Sequence, residues 1–128
     1  MPVTGGGPDF DEPRLAEAVE RLDRHQTDTL PFGAVRLDAD GKVVFFSKSE
    51  ERLSGFRKQP LGLSFFSEIA PCMNNPAFLG RIERALAAGR LDIRFGHIGD
   101  FHDGDKELDV RVQSASGGGF WIFLQREN

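Results

Sequence analysis

The run Phe120-Trp121-Ile122-Phe123-Leu124 constrains the fold more than any other segment. Five consecutive apolar residues near the chain's end read as a strand covered on both faces. Two alternating segments precede it, Leu91, Ile93, Phe95 and then Leu108, Val110, Val112, each with the period of two that a half-buried strand requires. Further upstream, Gly33-Ala34-Val35-Arg36-Leu37 and Lys42-Val43-Val44-Phe45-Phe46 flank Asp38-Ala39-Asp40-Gly41. Two apolar runs around an Asp-rich, Gly-ended connection predict a β-hairpin. The residues 99–105 and 115–119 between the later strands read as turn-rich loops.

Helical patterns fill the rest. Pro13 suits a first helical turn, with Glu12 or Asp11 as the capping acid. Leu15, Val19 and Leu22 then form a narrow apolar stripe, predicting a helix over 13–25 that docks weakly on a larger body. Ser49 is expected to cap a short helix through Leu53 that stops near Gly55. Gly62–Ile69 reads as a short apolar helix or turn, interrupted by Ala70-Pro71-Cys72. Pro76 is expected to start a helix with Phe78, Leu79, Ile82 and Leu86 on one face and Gly89 at its C-terminus. The order predicts an α+β domain, a five-stranded antiparallel sheet with helices on one side. Residues 1–28 form an N-terminal helical cap and 29–128 the core.

Composition narrows the function. The 128 residues are 39% hydrophobic and 28% charged, with a formal net charge of −4. One globular domain follows, and clustered basic charge for nucleic acid or anionic membranes is missing. No stretch approaches the roughly 18 apolar residues of a membrane span. The first seven residues lack the basic and apolar character of a secretory signal, so a cytoplasmic location is expected. One cysteine permits no internal disulfide and no Cys-based zinc site. His25, His97 and His102 are scattered, with the last two read as exposed at a flexible loop, and no metal or haem site is expected. Residues 100–105 lack calcium-loop spacing. No phosphate-binding glycine loop, paired carboxylates or nucleophile–base arrangement stands out, so no enzyme is expected.

The local sequence is more specific than the element order. Residues 32–41, Phe-Gly-Ala-Val-Arg-Leu-Asp-Ala-Asp-Gly, resemble the first hairpin of the photoactive yellow proteins, light sensors with the PAS fold. Residues 62–72, ending Ala70-Pro71-Cys72 behind Phe65 and Phe66, resemble the segment that carries their chromophore cysteine. Pro76-Ala77-Phe78-Leu79-Gly80 and Trp121-Ile122-Phe123-Leu124 resemble that family's long helix and last strand. The resemblance spans about residues 13–126.

It implies a PAS fold and a blue-light photoreceptor. Members bind p-coumaric (4-hydroxycinnamic) acid as a thioester. Light isomerises it, a proton reaches its phenolate, and the domain partly unfolds to signal. Cys72 matches the attachment residue. Glu50 matches the buried acid that hydrogen-bonds the phenolate and gives it the proton. Ser54 stands at a threonine of the same hydrogen-bonding chain, and Ala70 and Pro71 line the pocket. Phe101 matches an aromatic that packs on the chromophore, with Gly99 as its neighbour, and Arg57 lies near the family's gating arginine. The chemistry is coherent. A buried phenolate survives only where donors point at it. A buried glutamic acid beside that charge stays protonated and can donate, and once ionised and unpaired it costs several kcal/mol.

One departure bears on this chemistry. The family's second donor is a tyrosine, and this chain has no tyrosine at all, with Phe46 at the matching position. Losing one hydrogen bond to a charged group costs roughly 1.5–3 kcal/mol, about one to two pKa units on the phenol. The resemblance therefore implies a phenol protonated in part or whole at neutral pH. Ser47 does not replace the tyrosine, because neighbours on a strand face opposite sides. The departure favours a second reading, a chromophore-less PAS domain serving protein–protein association. A third is a sensor of another small apolar ligand with Cys72 free. The expected partner is a separate downstream signalling protein, and the expected assembly is a monomer or weak homodimer.

Overall fold

The hairpin forms where the acidic turn predicts it. The computed structural model describes residues 7–56, 58–101 and 104–126, with the backbone alone for 99–101 and 104–106. In it, β1 (Gly33–Leu37) and β2 (Val43–Phe46) pair antiparallel. Asp38 Oδ1 accepts from the N–H groups of Asp40 (2.9 Å) and Lys42 (3.0 Å), and Gly41 takes φ +82°, a left-handed conformation that glycine adopts without strain. A register shift follows between Arg36 and Leu37.

Three further strands complete one antiparallel sheet: β3 (Asp92–Phe101), β4 (Gly104–Ser114) and β5 (Phe120–Arg126), in the order β2-β1-β5-β4-β3. β5 sits centrally and buries all of 120–124, as its apolar run predicts. The expected loop at 99–105 is mostly strand instead. Gly99, Asp100 and Phe101 pair with Lys106, Asp105 and Gly104, because the ladder supplies partners that local glycine and aspartate preferences do not foresee. His102 and Asp103 lie outside the described residues, as does Arg57.

Side-chain alternation divides the sheet into two apolar layers. Val35, Leu37, Leu108, Val110, Val112, Ile122 and Leu124 face one side with Phe46, Phe65, Phe66, Phe78 and Ile82. Ala34, Trp121 and Phe123 face the other, under Phe10, Leu15, Ala16, Val19 and Leu30. The first layer is covered by α3 (Lys48–Ser54), a π-turn (Phe65–Ile69), a 3₁₀ turn (Pro71–Met73) and α4 (Leu79–Ala87).

Several boundaries differ from expectation for local reasons. The predicted helix over 13–25 is two helices, α1 (Leu15–Glu20) and α2 (Arg24–Asp28). Asp23 is extended and forms a capping box with Gln26, so α1 cannot continue through it. Neither Asp11 nor Glu12 caps α1; its first turn is satisfied from the sheet, where Gln113 Oε1 accepts from Ala16 N–H at 2.7 Å. Ser47, not Ser49, caps α3 through Glu50 N–H at 3.1 Å, and Gly55 ends the helix at φ +74°. Asn75 Oδ1 accepts from Phe78 N–H ahead of α4, and Leu86 is half exposed rather than on the buried face.

The cap is not weakly docked. Arg111 donates to the carbonyls of Phe10, Glu12 and Pro13. Trp121 Nε1–H donates to Glu20 Oε2 at 2.8 Å. These bonds from the sheet add to an apolar contact wider than the sequence stripe. Among the described residues no helix is long and apolar enough to cross a membrane.

Candidate functional site

Glu50 lies in the first turn of α3, where the Ser47 cap fixes the helix start and directs the side chain onto the sheet. It is 4% exposed. Its carboxylate meets the guanidinium of Arg126 bidentately, at 2.9 and 3.0 Å. Arg126 follows Ile122 and Leu124 at a spacing of two, so its side chain emerges on their face of β5. Gly33 makes the room: a Cβ there would lie 1.9 Å from Glu50 Oε1. Burial raises the Glu50 pKa above its ordinary value, and the Arg126 hydrogen bonds and charge act against that rise.

Phe46 is buried in the same layer, its ring 6.0 Å from that of Phe56. Phe56 carries no donor either. Ser54 ends α3 and is half-buried; its Oγ accepts from Phe56 N–H at 3.2 Å, a local helix-end bond with no link to Glu50. Phe101 closes β3 in the backbone ladder, but its side chain and all of Arg57 lie outside the described residues.

Cys72 occupies the 3₁₀ turn beyond the π-turn. Ala70 N–H closes the π-turn on the Phe65 carbonyl at 2.7 Å, and Met73 N–H closes the next turn on Ala70 at 2.9 Å. This geometry sends Met73 into the core and leaves Cys72 exposed. Ala70 packs against the core and Pro71 is exposed. The structure thus sets Glu50 and Phe46 in one buried layer, with Cys72 at its margin and the thiol turned outward.

Two participants escaped sequence reasoning. Arg126 was legible as the next same-face position after Leu124. The sequence predicts an exposed His97, yet it is half-buried in β3 and faces Phe78 edge-on at 5.0 Å. Burial lowers its pKa, and its Nε2 is buried without a hydrogen-bond partner among the described residues. Through Leu108, His97 and Arg126 lie in one row across β3, β4 and β5. The layer therefore offers aromatic walls, a carboxyl–guanidinium pair at one end and a single thiol at its edge, a donor set that fits an aromatic acid bound through sulfur. A groove of about 740 Å³ on the opposite face, lined by Arg24, Arg36, Phe45 and Trp121 among others, contains none of these residues.

The chain is similar to the photoactive yellow protein of Rhodothalassium salexigens, 31% identical over 119 residues that cover 91% of this chain and 95% of that protein. It is similar to that of Halochromatium salexigens at 29% over 119 residues, with the same coverage. Among solved structures, the photoactive yellow protein domain of the sensor histidine kinase Ppr from Rhodospirillum centenum superposes with a TM-score of 0.79 at 34% identity, covering 86% of this chain and 98% of that one. A PAS domain from Colwellia psychrerythraea, at TM-score 0.65 and 14% identity over 80% of this chain and 92% of that one, shares the fold. No family model matches the chain.

Proposed function

Because the chain belongs to the photoactive yellow protein family, we propose that it is a PAS-fold blue-light photoreceptor, sensory rather than enzymatic, that carries p-coumaric acid as a thioester on Cys72. The observation that carries this reading is the pairing, on one side of the sheet, of the chain's only thiol with a buried carboxyl–guanidinium end. Bound there, the coumaroyl group supplies light absorption and a double bond that isomerises.

The residues then have distinct tasks. Cys72 forms the covalent link, which requires the Pro71–Met73 turn to rotate its sulfur from the surface toward Phe66 and Phe78. Those rings and Phe95 exclude water and hold an aromatic group edge-on, as they hold one another at 5.1 to 6.0 Å. Glu50 receives the phenol end. When that end leaves, Glu50 and Arg126 must re-pair in a site too dry to tolerate either charge alone. The cap on the opposite face is the element released, and a separate protein reads that release.

Exposure of Cys72 and the missing hydroxyl at Phe46 favour a second reading, a chromophore-less PAS domain for protein association. Incubation with an activated p-coumaric thioester or anhydride separates the two. The photoreceptor gains the mass of one coumaroyl group and an absorption band beyond that of the protein, and Cys72→Ala abolishes both. A wild-type protein that gains neither refutes the photoreceptor reading, and a band that persists in Cys72→Ala refutes the covalent link.

A further inference from the structure

Arg126 is a permanent positive charge inside the protein. A guanidinium does not lose its proton, and the Arg126 side chain is only 10% exposed. Such a group needs one negative partner close by. Glu50 supplies it here, held in the space that Gly33 leaves. Among the described residues Arg126 is the one charged group on the Glu50 carboxylate. On α3, Glu51 and Arg52 are exposed. On α2, Asp28 accepts from Lys48 N–H and pairs with Arg24. β1 presents only Gly33, and His97 stands beyond Leu108.

At this fork the negative charge sits on the Glu50 carboxylate. A phenol hydrogen-bonded to Glu50 can take over that charge without changing the total. Glu50 then accepts the phenol's proton: the phenol O–H bond breaks, the Glu50 O–H bond forms, and the guanidinium faces a phenolate instead of a carboxylate. The neutral donor that would otherwise share this load is absent, since Phe46 and Phe56 fill its place with rings.

We propose that Arg126 is the counter-ion of the ligand's phenolate, the cation that offsets the hydroxyl missing at Phe46; the proposal rests on the coumaroyl reading above. It alters what Phe46 implies, because a full charge lies at 2.9 to 3.0 Å from the carboxylate that would receive the phenol, and in a site of low dielectric the field of such a charge outweighs one neutral donor.

The test is an absorption titration of coumaroyl-loaded protein, with intact mass recorded for every sample. Arg126→Gln is expected to raise the apparent pKa of the phenol by about one to two units, a ten- to hundredfold loss of phenolate at fixed pH. Arg126→Lys, which keeps the charge but not the fork, retains most of the wild-type value. Should Arg126→Gln not fold, the comparison of Glu50→Gln with Glu50→Gln/Arg126→Gln decides, since neither leaves a lone buried carboxylate. Equal phenol pKa values with and without Arg126, on proteins of the loaded mass, overturn this proposal alone. Wild-type protein that gains no mass overturns the coumaroyl reading and this proposal together.

Discussion

Replacing Gly33 by alanine tests the construction of the buried pair without touching either charge. The backbone at Gly33 is not in the left-handed region, so alanine meets no conformational strain, and the stiffer unfolded chain alone would add about 0.4–1 kcal/mol of stability. The steric term is larger. The new methyl would lie 1.9 Å from Glu50 Oε1, 2.8 Å from Cδ and 3.0 Å from Cβ, where ordinary contact begins at 3.4 Å. The carboxylate must move by about 1.5 Å, enough to break a bidentate pair. Removing one partner of a buried pair costs about 3–5 kcal/mol. Here both partners remain and retain part of their attraction, so the expected net loss is about 2–4 kcal/mol, a large share of the roughly 5–15 kcal/mol that holds a domain together. Urea unfolding followed by far-ultraviolet circular dichroism and by Trp121 fluorescence measures it. The same change in a Glu50→Ala background should cost at least about 1.5 kcal/mol less, because little then stands in the methyl's way. Additive effects within about 0.5 kcal/mol, or a single-mutant loss below about 1 kcal/mol, would show that Glu50 is not seated against Gly33.

Three further outcomes follow from the geometry. Arg111→Met keeps the buried stem but removes the bonds to the Phe10, Glu12 and Pro13 carbonyls; it should lower stability by about 2–3 kcal/mol and accelerate amide exchange across 7–20 while the sheet stays protected, and unchanged exchange in the cap would contradict the clamp. Burial alone would raise the Glu20 pKa, but the Trp121 and Ser116 N–H bonds outweigh it and hold the carboxyl below its ordinary 4.5. A depressed carboxyl stabilises fully above that value and loses its contribution as pH falls through the lower folded one, so Trp121 fluorescence should report cap loosening only below about pH 4.5, and Glu20→Gln should remove that transition. Ser47 Oγ accepts from both Glu50 and Ala34 N–H groups, so Ser47→Ala should cost about 2–4 kcal/mol by leaving two buried donors unpaired; a larger loss from Ser49→Ala in the same denaturation assay would reverse the assignment of the cap.

The parts of the fold legible in the sequence are those fixed by local chemistry. Asp38 and Gly41 define the hairpin because one carboxylate and one positive φ suffice to build it. The apolar run of β5 announces burial on both faces for the same reason. The box of Asp23 and Gln26 is also legible, but the apolar stripe runs up to Leu22 with no glycine or proline between it and the box, so the pattern reads as one helix. Ser47 and Ser49 are equally good caps by residue type; the choice between them depends on Ser47 lying where the Ala34 N–H of the neighbouring strand can reach it. Residues 99–101 carry glycine and aspartate, and only ten residues of pairing with β4 make them strand. At the site, the family resemblance picks out Glu50 and Cys72, while their orientation lies beyond it. The outward thiol follows from two tight turns, and the partner of Glu50 stands 76 residues away.

β5 links the two halves of the molecule. Its alternation places Ile122, Leu124 and Arg126 on the layer with Glu50, and Trp121 and Phe123 on the layer that holds the cap. Trp121, near the start of β5, donates its indole N–H to Glu20, and Arg126 closes the same strand. In the proposed photoreceptor, isomerisation removes the phenolate from Glu50 together with the Glu50 proton, and the carboxylate left behind pairs with Arg126 again, so a shift of Arg126 acts on the strand whose other end anchors the cap. The core and the cap need not unfold together. The cap is tied to the sheet through individual side chains, Arg36, Arg94, Arg111, Gln113 and Trp121 among them, whereas β1, β4 and β5 hold one another through continuous ladders. An element joined to a sheet by side chains alone opens at lower free energy than the backbone ladders beneath it. A perturbation at the Glu50 end is thus most economically expressed as release of the cap with the sheet intact.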